Sequence, residues 1–234
     1  MTNNFEFIKK YMQEQNIPAT EEDARDLFFN IMLIRRGKDF PDMPAANYTF
    51  KSYYIDSIEK LNKVQDEIIT CCDMFGLRAY VSVNVKSKED FTKMCTVKFA
   101  ENNLSGDYKK PWRIIDHVFG SLQAKNKGRW IIDIDKCDDF DNYLNEICHI
   151  INMCDSKYEQ RIIAQIPTKS GIHLITYPFN VKQFADLCES KMLDKPEIKR
   201  NHITLLYEDL NAYNINKEYN KILEENYKHK FGEN

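Results

Sequence analysis

Two short apolar runs constrain this chain most, because each breaks its hydrophobic character only at chemically useful positions: Trp130-Ile-Ile-Asp-Ile-Asp135 and Thr168-Lys-Ser-Gly-Ile-His-Leu-Ile-Thr176. An extended backbone alternates its side chains between two faces, so Asp133 and Asp135 project to one side while Ile132 and Ile134 anchor the other in a core. The first run is strongly apolar and is followed by helical spacing, which suits a central strand better than a solvated edge. Two carboxylates on one face repel each other. A divalent cation that prefers oxygen ligands, Mg²⁺ or Mn²⁺, relieves that repulsion most directly. In the second run Lys169 supplies a cation, Gly171 lets backbone approach a phosphate, and Ser170 and His173 can donate hydrogen bonds to phosphate oxygens. Read together, the two runs point to a nucleotide and metal site.

The rest of the composition sets limits on that reading. A chain of 234 residues, 43% hydrophobic and 29% charged, can bury one substantial core with room for a small appended element. It has no uninterrupted apolar run of about 18 residues and no basic-then-apolar start, so neither a membrane span nor a secretion signal is expected, and the cytoplasm is the default compartment. Seven cysteines without a Cys-x-x-Cys pair argue against a disulfide framework and against a zinc module. A net charge of −3 leaves any polyanion binding to local clusters rather than to the overall field.

Hydrophobic spacing suggests helices through residues 5–36 (Phe5, Ile8, Tyr11, Met12, then Ala24, Leu27, Phe28, Ile31, Met32), with Thr20 before Glu21-Glu22 as a start signal. Arg35-Arg36-Gly37-Lys38-Asp39, followed by Pro41 and Pro44, reads as a basic, exposed connection. The spacing predicts a helix from Tyr53 to Met74 ended by Gly76, a strand over Arg78–Val85, and a helix from Ser87. Helical spacing over 139–154, a strand over Arg161–Ile166 turning back through Pro167–Gly171, a helix from Phe179 to Met192 and a strand over Ile203–Tyr207 follow. The organisation expected is a helical N-terminal element and basic connection over 1–50, a core over 51–210, and a C-terminal surface helix or tail over 211–234.

The order of these motifs resembles the catalytic core of the archaeo-eukaryotic primase (primase-polymerase) superfamily: a strand with an Asp-x-Asp pair, then a Ser-Gly-x-His strand, then a later strand ending in a third acidic residue. Asp133 and Asp135 match the first, and Ser170, Gly171 and His173 the second. Asp209, or Glu208, at the end of Ile203–Tyr207 is the nearest match to the third. The resemblance covers roughly residues 75–210. It implies an α+β fold with an RRM-like core of mixed or antiparallel sheet and packed helices, in a compact protein of phage or mobile-element type. The implied activity is divalent-metal nucleotidyl transfer on a single-stranded nucleic-acid template. Asp133, Asp135 and Asp209 would carry the metal, and Lys169, Ser170, Gly171 and His173 the nucleoside triphosphate. Arg78, Asn84, Lys110, Arg113 and Arg129 are candidate nucleic-acid contacts, and a helicase or another replication protein is a possible partner. The alternatives are a non-catalytic relative that binds nucleotide or nucleic acid, and a metal-dependent nuclease.

Overall fold

Hydrophobic spacing and capping residues divide the chain into two antiparallel sheets and the helices that cover them. The computed structural model describes residues 1–40, 47–106, 113–125, 128–218 and 221, apart from the side chains of Arg113 and Asp116. Along it run β1 (Thr2–Asn3), α1 (Phe5–Glu14), β2 (Leu27–Arg35), a 3₁₀ turn (Gly37–Asp39), β3 (Tyr48–Ile55), α2 (Ile58–Phe75), β4 (Arg78–Ser82), β5 (Lys86–Ser87), α3 (Lys88–Ser105) and α4 (Arg113–Ser121). There follow β6 (Trp130–Asp135), α5 (Phe140–Met153), β7 (Ile162–Pro167), β8 (Gly171–Thr176), α6 (Val181–Ser190), β9 (Glu197–Arg200), β10 (Ile203–Glu208) and a helix over 210–218. Every strand pairing among the described residues is antiparallel, so the fold is α+β.

The four-stranded sheet has the order β7-β8-β6-β9, and its strands and helices alternate as β6–α5–β7–β8–α6–β9. Strands β6 and β8 are therefore central, as the apolar composition of β6 requires. Ile132, Ile134 and Leu174 point to α5 and α6, where they pack with Ile147, Ile150, Ile151, Phe184 and Cys188. Each such aliphatic or aromatic side chain contributes about 1.5–3 kcal/mol by leaving water.

The other sheet runs β1-β10-β4-β2-β3, with β5 added to β2. Helices α1 and α2 cover one of its faces, burying Phe5, Ile8, Met12, Leu61 and Ile68 against Phe29, Ile31, Leu33 and Val81. This core also admits Ile131, Ile166 and Ile175 of the four-stranded sheet, so the two sheets meet through shared apolar packing. Asn4 fixes the junction, its amide donating to the carbonyls of Pro167 and Leu205 at 2.9 Å each.

Local signals placed several elements correctly. Gly76 ends α2 in the left-handed region at φ 61° and Ser87 caps α3 at Asp90 N, as expected, whereas α2 starts not at Tyr53 but after Ser57, whose hydroxyl accepts from Lys60 N. The helix expected over Ala24–Met32 is instead strand β2 from Leu27 onward. Its Phe29, Ile31 and Leu33 enter the α1/α2 core, while Phe28 lies on the opposite face among Tyr54, Phe91 and Phe119. A strand buried on both faces is apolar at successive positions, and periodicity cannot distinguish it from a buried helix. The N-terminal segment is thus no helical element apart. It supplies α1, pairs β1 with β10 and places β2 inside the larger sheet. Ile55 belongs to strand β3 rather than to α2. Strand β9, with only four residues, was not anticipated.

Between β9 and β10 the chain passes from one sheet to the other through Asn201 and His202 alone. Asn201 is left-handed at φ 48°, a conformation asparagine tolerates better than most residues. Its side chain donates to the carbonyls of Gly120 and Leu122 at 3.3 Å and accepts from Lys86 Nζ at 2.5 Å. Lys86 also donates to Leu122 O at 2.5 Å; burial without a carboxylate partner lowers its pKa to about 8.

Candidate functional site

The face of β6 opposite the α5/α6 core carries Ile131, Asp133 and Asp135 in turn, and their surroundings grade from dry to wet: Ile131 buried, Asp133 half-buried, Asp135 exposed. Pairing extends this row sideways. Asp133 lies opposite His173 on β8 and opposite Glu197 on β9, so the three share one face. His173 Nε2 is 3.3 Å from Asp133 Oδ1, and its Nδ1 is 2.8 Å from the Thr204 hydroxyl. A carboxylate only accepts, so Nε2 carries a proton towards Asp133, while the Thr204 hydroxyl, which can donate or accept, meets Nδ1. Lys199 Nζ reaches Asp133 Oδ2 at 2.5 Å and Glu197 Oε2 at 3.2 Å.

These two donors set the charge of the site. Hydrogen bonding from His173, reinforced by Lys199, holds the Asp133 carboxyl far below the usual carboxylate range against the opposing effect of burial. For Lys199 burial opposes the charge, but Asp133 and Glu197 outweigh it and raise its pKa. Asp135 accepts from the Ser170 hydroxyl at 3.4 Å.

Gly171 faces Asp135 across the ladder, and its role is packing. A Cβ there would stand 1.9 Å from the Ile134 carbonyl oxygen, so only glycine lets β8 pair closely with β6 at this level. The turn before it is closed by Thr168 N donating to Gly171 O at 2.9 Å, which presents Lys169 and Ser170 beside the aspartates.

Opposite this face, the larger sheet contributes Ile34, Arg78, Tyr80, Ile203 and Leu205, and the 3₁₀ turn with the residue before it adds Arg36, Lys38 and Asp39. The two walls enclose a cleft of about 600 Å³. Five Lys or Arg side chains (Arg36, Lys38, Arg78, Lys169, Lys199) line it against three aspartates (Asp39, Asp133, Asp135). Arg78 and Lys199 are committed to carboxylates, which leaves Arg36, Lys38 and Lys169 as the cationic side chains that could meet an anion in the cleft. Arg78 is buried between Asp39 Oδ1 at 2.6 Å and Glu208 Oε2 at 3.3 Å.

Of the residues singled out from the sequence, Asp133, Asp135, Lys169, Ser170, His173 and Arg78 all line this cleft. Asp209 does not. Its carboxylate caps the helix over 210–218, accepting from the backbone N–H groups of Asn211 and Ala212 at 3.1 Å each. Glu208 is engaged with Arg78. The third carboxylate on the Asp133 face is Glu197, and among the described residues no three His, Cys, Asp or Glu side chains converge as a metal-ligand group. Asn84 is buried and spends its amide on the backbone of Arg129, accepting from N at 2.7 Å and donating to O at 3.1 Å. Arg129 is itself buried and stacks on Tyr177 at 5.0 Å. Neither offers a nucleic-acid contact. Lys110 and the side chain of Arg113 lie outside the described residues.

Sequence reasoning missed Arg36, Lys38, Asp39, Tyr80, Glu197, Lys199 and Thr204. The Arg35–Asp39 cluster was visible as basic, but nothing local says that it folds over a cleft. No family model matches the chain, and no curated protein or solved structure matches it.

Proposed function

We propose that the cleft is the active site of a primase-polymerase-like nucleotidyltransferase acting on nucleoside triphosphates along a single-stranded template. One observation carries this reading: Asp133 and Asp135 stand on a central strand, opposite His173, facing a cation-lined cleft between two sheets. The β6–α5–β7–β8–α6–β9 connectivity with β6 and β8 central is the split βαβ arrangement of RRM-like sheets, which supports a primase-type core.

Mg²⁺ or Mn²⁺ is the ion this reading calls for, and Asp133 and Asp135 are the hard oxygen donors on the cleft wall. Among the described residues no third His, Cys, Asp or Glu side chain converges with them, and the Lys199 ammonium sits beside Asp133 and Glu197. A bound divalent ion would supply Lewis acidity that activates an attacking 3′-hydroxyl and neutralises the triphosphate. His173 orients the Asp133 carboxylate and is itself held by Thr204. In this reading Lys169, Ser170, Arg36 and Lys38, which line the cleft, are the groups that would hold the phosphates of a nucleotide.

The test is synthesis of labelled product on a single-stranded template with nucleoside triphosphates and Mg²⁺ or Mn²⁺, run beside Asp133→Asn/Asp135→Asn. Product from the wild type with a loss on the order of 10³-fold in the variant is the expected result. Strand shortening without triphosphate would replace this reading with a nuclease. A second reading, a non-catalytic nucleotide-binding relative, is favoured by the pairing of both Asp133 oxygens with protein groups. Nucleotide binding without product would select it.

A further inference from the structure

We propose that Arg78 is a phosphate-binding group of the cleft whose place is kept by Asp39 in the ligand-free protein: the Asp39 carboxylate stands in for the anion and turns away when a phosphate group takes the guanidinium. The proposal rests on the reading of the cleft as a phosphate site. It calls for no metal ion, and it adds a residue that gates the site.

Charge and burial supply the reason. Two carboxylates share one guanidinium, with side-chain exposures of 6% for Arg78 and 7% for Asp39 and for Glu208. Arg78 Nη2 donates to Asp39 Oδ1 at 2.6 Å. Glu208 Oε2 faces Arg78 Nε at 3.3 Å without hydrogen-bond geometry, and Asp39 Oδ2 is buried with no donor among the described residues. The cluster thus holds one negative charge in excess, and buried charged atoms without partners are destabilising. The two carboxylates differ in how they are held. Glu208 sits in strand β10, where it pairs with Thr2 of β1, whereas Asp39 hangs from the 3₁₀ turn Gly37–Asp39, outside both sheets. Rotation of the Asp39 side chain breaks neither backbone bond of that turn, from Asp39 N to Arg36 O and from Phe40 N to Gly37 O, each 3.0 Å. It leaves Arg78 paired with Glu208 alone, returns the surplus charge to water, and frees a planar fork that fits phosphate as well as carboxylate. Arg36 and Lys38, on either side of Gly37, line the cleft with Arg78, so the freed guanidinium joins two cations already there. Asp39 and an anionic ligand therefore compete for one side chain.

The decisive measurement is the affinity for inorganic tripolyphosphate, by titration calorimetry at constant ionic strength without divalent ions, of the wild type, Asp39→Asn, Asp135→Asn and Lys169→Met. Asparagine keeps an oxygen that accepts from Arg78 but holds it less strongly than a carboxylate. Asp39→Asn is therefore expected to bind about tenfold more tightly than the wild type, within the range usual for coupled sites. Asp135→Asn removes an equal charge from the same cleft without freeing Arg78, and should gain less. Asp39→Ala substitutes for Asp39→Asn if that variant does not fold. A gain in Asp39→Asn no larger than that of Asp135→Asn, or no gain at all, overturns the gate; weaker binding by Lys169→Met would then leave the phosphate reading of the cleft standing. Binding indifferent to all three substitutions, or absent from every protein, overturns that reading and this proposal with it.

Discussion

On the four-stranded side of the cleft, Glu197, Asp133 and His173 lie in one row because strand register puts them there; on the six-stranded side, Arg78 is held by the buried carboxylates of Asp39 and Glu208. The first wall takes its geometry from backbone hydrogen bonds, which persist when a side chain changes. The second takes it from charge compensation, which fails when one partner is removed. The two walls should therefore break differently.

Removing Arg78 tests the second wall. Arg78→Leu leaves Asp39 and Glu208 buried without their shared cation and should lower stability by about 3–5 kcal/mol in denaturant unfolding. A loss below about 1 kcal/mol, the range of exposed pairs, would show that the wall stands without the ion cluster.

The matching attack on the first wall is at backbone level. Gly171→Ala drives a methyl group into the Ile134 carbonyl and should cost about 3 kcal/mol, the upper end of ordinary overpacking, with faster amide exchange along β6 and β8. Asp133→Asn, in contrast, should disturb the ladder little while removing function.

A smaller effect tests the link between the walls. Lys86 has a folded pKa of about 8, below the 10.5 of a free lysine, so the unfolded chain binds more protons between those values. Stability should therefore rise with pH from about 8 towards 10.5, and Lys86→Met should lack that rise. Identical pH profiles for the two proteins would remove Lys86 as a buried titrating group.

The contrast also explains what could be read from the sequence. Asp133, Asp135 and His173 were legible because alternation within two apolar strands fixes the face of each residue once the strand is recognised, and Ser170 because the turn that leads into the second strand carries it. The end of α2 and the cap of α3 were legible because Gly76 and Ser87 act on their own helices. Strand β2 was not, since burial on both faces erases the alternation. Arg36, Asp39 and Arg78 share a wall only after β2 and β4 pair, and Glu197 joins the site only after β9 pairs with β6. The choice of Asp209 failed for a related reason: an acidic residue at a strand end can equally cap the helix that follows, and here it does.

The Asn201–His202 crossover has a mechanical consequence. Arg200 ends a strand of one sheet and Ile203 begins a strand of the other, so three Cα–Cα steps, about 11 Å at full extension, bound how far the sheets can separate there. Lys86 and the carbonyls of Gly120 and Leu122 grip the same point. Asn4, bonded to the carbonyls of Pro167 and Leu205, fastens the same two sheets a second time beside the Lys169–Ser170 turn. The walls of the cleft are thus tethered at two places by backbone groups, so its width is set by the chain's path rather than by the charged side chains that line it.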